Sequence, residues 1–376
     1  PRGHKGPCPP YETDLITATS ALAVGWARGY RAHANGPPNI TLGRNSIMAR
    51  IVKFFKTGGP EVLQIVEEAV PAPAAGELQI SVRAIGVNRA EVMFRNGQYL
   101  EAPQLPARLG YEAAGTITAV GVGVSDFKVG DAVSTVPAFS QNQYGVYGDL
   151  VNVPASATVK HPASLSWVEA ASVWMQYMTA YGALVEFGKT QPGEFVLIPA
   201  ASSSVGVAAI EIANIIGAIP IALTRYSSKR DALLKAGAKH VIATEEEDLV
   251  AQVNRITDDK GARVVFDPVA GPTLAKLAEA TAQSGIIFEY GALSTEATPF
   301  PLFTVLGKHL TIRGYTLFEI STDPQRLARA TQFILSGLTE GKLKPTVAKT
   351  FPFDEVVEAH RFMESNQQIG KIVITL

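Results

Sequence analysis

A short apolar segment in the middle of the chain is followed by small and hydroxylated residues that are suited to binding a phosphate group. The apolar segment is Phe195–Ile198, and the sequence Pro-Ala-Ala-Ser-Ser-Ser-Val-Gly follows it at residues 199–206. Four bulky apolar residues in a row are typical of a strand buried on both faces. The residues after Gly206 are apolar at helical spacing, so a helix should begin there. Small residues at such a junction let backbone N–H groups and the positive end of the helix approach an anion.

This turn predicts the first strand–helix junction of a dinucleotide-binding fold, where the diphosphate is held. The residues that would bind it are Ser202, Ser203, Ser204, Val205 and Gly206. Only Gly206 of the usual G-x-G-x-x-G pattern is present, because Ser203 and Ser204 stand where glycines are expected. A serine-rich turn that binds no nucleotide is the alternative, and close helix–strand packing is an alternative role for Gly206.

The residues after the next predicted strand, Ile219–Thr224, indicate which nicotinamide cofactor is bound. A carboxylate at this point usually binds the ribose 2′-OH of NAD, but the sequence here is Arg-Tyr-Ser-Ser-Lys-Arg, and the first acid is Asp231. Cations and hydroxyl groups suit a 2′-phosphate instead, since a guanidinium can bind it bidentately. The sequence therefore predicts NADPH, bound here by Thr224, Arg225, Ser227 and Lys229. A solvated basic helix start is the alternative, although a helix N-terminus does not favour basic residues.

The composition is that of a globular protein with two domains. The chain has 376 residues, and single cores rarely grow beyond about 250–300 residues. It is 47% hydrophobic and 18% charged with a net charge of −1, which gives no basic footprint for nucleic acid or an anionic membrane. No apolar run approaches the roughly 20 residues that span a bilayer. The single cysteine, Cys8, excludes disulfides within the chain and cysteine-rich zinc sites, and it indicates a reducing, cytoplasmic location.

Two kinds of pattern divide the chain after its first part. Residues 48–170 contain short alternating segments punctuated by glycines and prolines, which is typical of an antiparallel β domain. Between residues 171 and 315, strand-like runs recur with helical segments between most of them, which predicts βα units in a parallel sheet. Residues 316–376 contain two helical segments and a closing strand, which we expect to return to the first domain.

Residues 1–47 do not resemble the rest of the chain. They contain two proline pairs and scattered arginines, with few acids and only a short apolar stretch. We interpret Met48 as the functional start and the preceding residues as an extraneous or disordered leader. An organelle-targeting segment is the alternative, because arginine without much acid is typical of one.

A series of short motifs in family order resembles the medium-chain dehydrogenase/reductase superfamily, and within it the zinc-free quinone oxidoreductase (ζ-crystallin-like) branch. The motifs are Gly-Val-Asn-Arg-Ala-Glu at 86–91, Arg-Asn-Gly-Gln-Tyr at 95–99, Leu-Gly-Tyr-Glu-Ala-Ala-Gly at 109–115, Val-Gly-Asp at 129–131, Met-Thr-Ala-Tyr at 178–181, the turn at 201–206, Lys-Ala-Gly-Ala at 235–238, Phe-Asp-Pro-Val-Ala-Gly at 266–271 and Gly-Lys-Ile-Val at 370–373. They cover nearly the whole chain from Met48 to Leu376.

The resemblance implies an α/β fold, with a Rossmann doubly wound parallel sheet plus a GroES-like antiparallel β domain and a cofactor in the cleft between them. It implies that Thr179 lies near the nicotinamide, that Gly291 lies near its ribose and that Lys229 binds the 2′-phosphate. Simple helix packing and an ordinary strand-ending turn are the alternatives for Thr179 and Gly291. Relatives form homodimers by joining their sheets edge to edge through a region that matches the apolar, strand-like segment at residues 302–317. A buried internal strand pair is the alternative for that segment.

The positions that match the metal ligands of the family's zinc alcohol dehydrogenases hold no suitable ligand here. Those enzymes use two cysteines and a histidine, and the corresponding residues are Asn88, Tyr111 and Met175. An amide, a phenol and a thioether are poor zinc ligands beside thiolate and imidazole, so we predict no metal. Without a Lewis acid an alcohol is hard to oxidise, whereas a quinone or an α,β-unsaturated carbonyl accepts hydride with less help.

Three residues of the first domain are candidates for catalysis. Asn88 could donate a hydrogen bond to a carbonyl oxygen that gains charge as hydride arrives, and Tyr99, Tyr111 or water could supply a proton. A packing or hydrogen-bonding role is an equal alternative for each residue. The sequence thus predicts an NADPH-dependent, zinc-independent reductase of quinones. Reduction of an activated C=C bond (enal, enone or enoyl thioester) is an alternative in the same class, and an NADPH-binding protein with little turnover is an alternative of another class.

Overall fold

The computed structural model describes residues 46–376, and every structural statement below concerns that part of the chain. The predicted leader at residues 1–47 lies outside it except for its last two residues, and Ile47 already begins the first strand. None of the helices in this part combines the length and the apolar character needed to cross a membrane.

Alternating apolar residues build two β-sheets with short helices between residues 47 and 170. The elements are β1 (Ile47–Phe54), β2 (Leu63–Val70), β3 (Glu77–Val87), α1 (Arg89–Arg95), β4 (Ala107–Arg108), β5 (Glu112–Val120), β6 (Ala132–Thr135), α2 (Gln141–Tyr144), β7 (Leu150–Pro154), β8 (Thr158–Lys160) and α3 (Trp167–Ala170). One sheet has the order β2-β1-β4, and β3 is central to the other, where it pairs antiparallel with β5 and β7. Leu78, Ile80 and Val82 alternate along β3 and are buried in the core of this domain.

A parallel sheet with helices on both faces follows, as the repeated βα pattern predicted. Its elements are α4 (Trp174–Tyr181), β9 (Phe195–Ile198), α5 (Ser204–Ile215), β10 (Ile219–Thr224), α6 (Arg230–Lys235), β11 (His240–Ala243), α7 (Leu249–Thr257), β12 (Ala262–Asp267), α8 (Thr273–Ala280), β13 (Thr281–Glu289), α9 (Leu302–Lys308) and β14 (Thr311–Gly314). The strand order is β11-β10-β9-β12-β13-β14, and all its pairings are parallel. The order reverses between β9 and β12, so a ligand crevice is expected beyond the carboxyl ends of these two strands.

The last part of the chain joins the antiparallel sheet again. Its elements are α10 (Phe318–Ser321), α11 (Pro324–Thr339), β15 (Val347–Pro352), α12 (Val356–Glu364) and β16 (Lys371–Thr375). Strand β16 pairs antiparallel with β3 and parallel with β15. This pairing brings Lys371, near the end of the chain, beside the end of β3 and the residues that follow it.

The segment at residues 302–317 differs from its interpretation as one apolar strand. Leu302–Lys308 is helix α9, and only Thr311–Gly314 is a strand. Leu302, Val305 and Leu306 recur at the spacing of one helix face. The strand prediction was therefore wrong for the first half of the segment, because a short apolar run fits either structure.

Candidate cofactor and substrate site

The serine-rich turn lies at the carboxyl end of β9, where the strand order reverses. Ser203 is the N-cap of α5, and its Oγ accepts a hydrogen bond from the N–H of Gly206 at 3.0 Å. A Cβ atom at Gly206 would lie 2.6 Å from the Cα and the carbonyl oxygen of Ala201, so glycine allows α5 to start close to the turn. Ser202, Ser204 and Val205 are partly exposed at this end. The first N–H groups of a helix have no acceptor within it, and such N–H groups can bind an anion.

Lys229 approaches the same turn from the loop after β10. Its Nζ donates hydrogen bonds to Ser202 Oγ at 3.0 Å and to the carbonyl oxygens of Asn366 at 3.0 Å and Gln368 at 3.1 Å. Burial, and then the positive charge of Arg225, lower the pKa of Lys229. Arg225 is exposed, and neither cation forms a salt bridge within residues 46–376.

Thr224 and Ser227 flank these cations, and both are already engaged through their backbone. The carbonyl oxygen of Thr224 accepts a hydrogen bond from the N–H of Thr244 at 2.8 Å. The N–H of Ser227 donates to Glu246 Oε1 at 3.0 Å, and this bond lowers the pKa of Glu246. The sequence did not indicate Glu246 as a neighbour of Ser227, because Glu246 follows β11 and Ser227 follows β10. The carboxylate of Glu246 therefore lies beside the loop that carries the two cations.

Asn88 lies in a buried network of charged side chains. Its Nδ2 donates to the Gly86 carbonyl oxygen at 3.1 Å and to Glu91 Oε1 at 3.2 Å, and its Oδ1 accepts from Lys371 Nζ at 2.5 Å. Lys371 Nζ also donates to Glu112 Oε2 at 2.5 Å, and both of these side chains are fully buried. In this arrangement Asn88 has no amide hydrogen left for a substrate oxygen, so its contacts favour a positioning role over the direct donation expected from the sequence.

Glu112 connects this network to the first helix of the parallel-sheet domain. Its Oε1 accepts hydrogen bonds from the N–H groups of Val173, Trp174 and Met175 at 3.1, 2.7 and 3.3 Å. A carboxylate at a helix N-terminus is favourable because it faces the positive end of the helix dipole. Thr179 lies one turn further along α4, and its Oγ1 donates to the Met175 carbonyl oxygen at 2.5 Å. The carboxylate of Glu112 therefore fixes the helix that carries Thr179.

The two candidate tyrosines lie next to each other on the side of the β domain. Their ring centroids are 6.3 Å apart, with Tyr111 buried and Tyr99 partly exposed. Burial raises the pKa of both phenols. The O–H of Tyr111 donates to Glu101 Oε1 at 3.3 Å, and Glu101 also accepts from the Gln141 N–H at 2.9 Å and from Ser140 Oγ at 2.5 Å. The sequence did not single out Glu101, which orients the Tyr111 hydroxyl.

Gly291 follows β13 at the same edge of the parallel sheet. A Cβ atom there would lie 2.8 Å from the carbonyl oxygen of Pro268, so the chain passes close to the turn after β12. Two hydrogen bonds join the turns, from the Leu293 N–H to the Pro268 carbonyl at 3.0 Å and from the Ser294 N–H to the Val269 carbonyl at 2.9 Å. Together these turns form one border of the expected crevice.

The structure brings together the three positions that match zinc ligands in the alcohol dehydrogenases. Asn88 Nδ2 and the Tyr111 N–H both donate to Glu91 Oε1, at 3.2 and 3.1 Å, and Met175 lies at the Glu112 cap. Within residues 46–376, no group of three or more histidine, cysteine, aspartate or glutamate side chains is arranged to hold a metal ion. The side chains at these three positions are an amide, a phenol and a thioether, and the carboxylates of Glu91 and Glu112 lie beside them.

Comparisons with known proteins agree with this architecture. The family profile "Alcohol dehydrogenase GroES-like domain" matches residues 74–163, and the profile "Zinc-binding dehydrogenase" matches residues 204–336. Quinone oxidoreductase 1 of Escherichia coli (strain K12) is 33% identical over 330 residues, which cover 87% of this chain and 99% of that protein.

Solved structures give the same result. The crystal structure of Escherichia coli quinone oxidoreductase complexed with NADPH has a TM-score of 0.82 and 33% identity, and the match covers 87% of this chain and 100% of that one. The CurK enoyl reductase has a TM-score of 0.78 and 26% identity, covering 87% of this chain and 99% of that one. The predicted fold class is confirmed. This chain belongs to the medium-chain dehydrogenase/reductase superfamily, an oxidoreductase family in which it groups with the quinone oxidoreductases.

Proposed function

We propose that this protein is an NADPH-dependent oxidoreductase that transfers hydride to a quinone or a similar electrophilic acceptor without a metal. The observation that carries the choice of cofactor is the pair Arg225 and Lys229. Lys229 bonds Ser202 of the serine-rich turn, the charge of the exposed Arg225 acts on Lys229, and neither cation forms a salt bridge in the described residues. A 2′-phosphate would give these two cations a negatively charged partner, and an arginine side chain can bind a phosphate bidentately. The related Escherichia coli structure was solved as a complex with NADPH, which supports the same cofactor.

The residues at the carboxyl end of β9, where the strand order reverses, are suited to binding a dinucleotide. Gly206 lets α5 start close to the turn, because a Cβ atom there would meet Ala201, and the partly exposed Ser202 and Ser204 lie at the start of this helix. In the proposed site these residues bind the diphosphate, while Thr179 and Gly291 border the nicotinamide end. When bound, the nicotinamide supplies the hydride. The protein contributes orientation and a pocket that excludes water.

On the substrate side, we assign the proton donor to Tyr99. The O–H of Tyr111 is already directed at Glu101. Tyr99 is partly exposed and packs against Tyr111, so its hydroxyl is the more accessible of the two. An acceptor that is already electron-poor needs no Lewis acid, which is consistent with the amide, phenol and thioether at the positions of the zinc ligands.

Replacing either tyrosine by phenylalanine tests this assignment. We expect Tyr99→Phe to lower kcat by about a hundredfold, the lower limit typical of a lost general acid, without weakening NADPH binding. Tyr111→Phe, which removes the bond to Glu101, should have a clearly smaller effect. Steady-state kinetics and a separate NADPH binding titration check both expectations. A larger loss in Tyr111→Phe than in Tyr99→Phe would reverse the roles.

The acceptor is chosen by pocket shape, and the CurK neighbour supports an alternative, the reduction of an activated C=C bond. Initial rates of NADPH oxidation should be measured against quinones, enals, enones and an enoyl thioester. Our proposal expects the highest kcat/KM with a quinone. A preference for the enoyl thioester would favour the alternative, and tight NADPH binding without oxidation by any acceptor would contradict both.

We further propose that the protein is a cytoplasmic homodimer joined through the β14 edge of the parallel sheet. The neighbouring helix α9 exposes Leu302, Phe303 and Leu306 at 49%, 86% and 60% of their surfaces. Exposed apolar side chains beside an open strand edge are typical of an interface, and a two-fold axis would pair two copies of β14.

The assembly is tested by placing charge on this surface. We expect Phe303→Glu combined with Leu306→Glu to convert a dimer into a monomer, because two buried carboxylates would face each other across the axis. Light scattering after size exclusion measures the mass. Val122→Glu is the matched control, since Val122 is 81% exposed on the other domain. A monomeric wild type, or a double variant that stays dimeric, would refute this interface.

A further inference from the structure

A pair of carboxyl groups lies under the two turns that border the crevice. Asp267 and Glu289 are the last residues of β12 and β13, and they face each other in the parallel register. Their carboxyl groups are close enough for each to act on the pKa of the other. We propose that they share one proton and thereby hold the adjoining turns in the conformation that receives the nicotinamide end of NADPH, an inference that rests on the proposed cofactor.

Asp267 organises the turn that follows β12. Its two carboxylate oxygens accept hydrogen bonds from the N–H groups of Val269 at 2.8 Å and Ala270 at 3.0 Å. Ala270 has a φ of 58°, a left-handed conformation that alanine rarely adopts and that these contacts help to hold. Because the Val269 carbonyl is bonded to the Ser294 N–H at 2.9 Å, the turn after β13 depends on the same arrangement.

Glu289 has no other partner that explains its position. Both of its Oε atoms are buried, and no N–H or O–H donor among the described residues reaches them. Two adjacent carboxyl groups in such a site do not both ionise. Burial, and then the charge of Asp267, raise the pKa of Glu289 to about 8, while burial raises the pKa of Asp267 to about 6. In the proposed state, Glu289 keeps its proton near neutral pH and shares it with an ionised Asp267.

The charged groups on the elements around the pair do not neutralise it. Arg313 of β14 is paired with Glu319 at 2.5 Å. Lys276 of α8 and Glu296 of the loop after β13 are exposed. The phenol of Tyr290 is buried nearby, and burial followed by the charge of Asp267 raises its pKa. The net charge of the Asp267–Glu289 pair therefore depends on whether the proton shared by the two carboxyl groups is present.

Loss of the shared proton is expected to lower both the affinity for NADPH and the stability of the fold. Above about pH 8 a second negative charge forms beside Asp267, and repulsion between the carboxylates disturbs the turns. NADPH affinity should then fall by about tenfold between pH 7 and pH 9, since roughly one tenth of the protein keeps the proton one unit above the pKa. The folded pKa of Glu289 lies above its ordinary value of 4.5. Its contribution to stability is therefore complete below about pH 4.5 and is lost as the pH rises through about 8.

Glu289→Gln tests the proposal, because glutamine keeps the shape and the donor of the protonated acid and has no charge to gain. NADPH dissociation constants should be measured by fluorescence titration of the full chain at several pH values between 7 and 9. The matched control is Glu211→Gln, because Glu211 is also a buried carboxyl group with its pKa raised to about 7 by burial, but it bonds Tyr177 elsewhere in the domain. Thermal unfolding of the ligand-free proteins over the same range gives a second readout.

We expect Glu289→Gln to bind NADPH as the wild type does at pH 7 and to keep that affinity at pH 9, whereas Glu211→Gln loses affinity with pH as the wild type does. The wild-type unfolding temperature should fall with pH more steeply than that of Glu289→Gln. An equal loss of affinity in Glu289→Gln, or no loss in the wild type, would overturn the role of the pair and leave the proposed function standing. Absence of NADPH binding in every protein at every pH would overturn the proposed function itself.

Discussion

Replacing Arg225 and Lys229 together by alanine is expected to weaken NADPH binding by about a hundredfold to ten-thousandfold, because each hydrogen bond to a charged group contributes roughly 1.5–3 kcal/mol. NADH has no 2′-phosphate, so its affinity should change little. In the structure, Lys229 Nζ is bonded to Ser202 Oγ and to the carbonyl oxygens of Asn366 and Gln368. We expect phosphate oxygens to replace part of this set when the cofactor binds.

The control for this double variant lies in the same basic run. Arg230 is already paired with Glu247 at 2.6 Å, so Arg230→Ala should not change the preference for NADPH over NADH. Dissociation constants for both cofactors, measured for the wild type and the two variants, give the preference directly. Equal losses of affinity for NADPH and NADH in the double variant would show that these cations do not bind the 2′-phosphate.

The second large effect is expected at Lys371, whose replacement by methionine should lower the free energy of unfolding by about 3–5 kcal/mol, the cost typical of removing one partner of a buried ion pair. Lys371 and Glu112 are both fully buried, and the pair is 2.5 Å apart. Methionine fills most of the space of the lysine stem but leaves Glu112 Oε2 and Asn88 Oδ1 without their donor. The loss also reaches α4, because Glu112 caps that helix.

Urea denaturation of the wild type and Lys371→Met measures this loss. Lys342→Met is the matched control, since Lys342 pairs with Glu340 at 2.7 Å on the surface, and its side chain is 60% exposed. Exposed pairs contribute at most about 1 kcal/mol. A Lys371→Met protein as stable as the control would mean that the buried pair contributes little beyond the packing of its neighbours.

The features that could be predicted from the sequence are those that depend on residues close together in the chain. The strand, turn and helix around Gly206 can be predicted from one short segment. Within it, a run of bulky apolar residues indicates the strand, small residues indicate the turn, and apolar residues at helical spacing indicate the helix. The basic run after β10 is equally local. The repeated βα pattern predicted the parallel sheet for the same reason, whereas the apolar run at residues 302–317 fitted both a helix and a strand and was assigned wrongly in its first half.

The contacts that define the site depend on pairs far apart in the chain. Glu112 and Lys371 are separated by 259 positions, so no spacing pattern links them, although both stand in family motifs. Glu289 meets Asp267 only through the register of β12 and β13. Asn88 was a reasonable donor by residue type, but only the structure shows that its amide hydrogens are used by Gly86 and Glu91.

The central claim is tested most directly by a single-turnover experiment on the full chain after metal has been removed with a chelator. The protein is mixed with NADPH and then with a quinone, while the loss of NADPH, the reduced quinone and the zinc content are measured on the same sample. We predict that NADPH is oxidised one for one with quinone reduction, at the rate of the untreated protein and with no stoichiometric zinc. Failure of the chelated protein to bind or oxidise NADPH, or recovery of the reaction only when zinc is returned, would contradict the account.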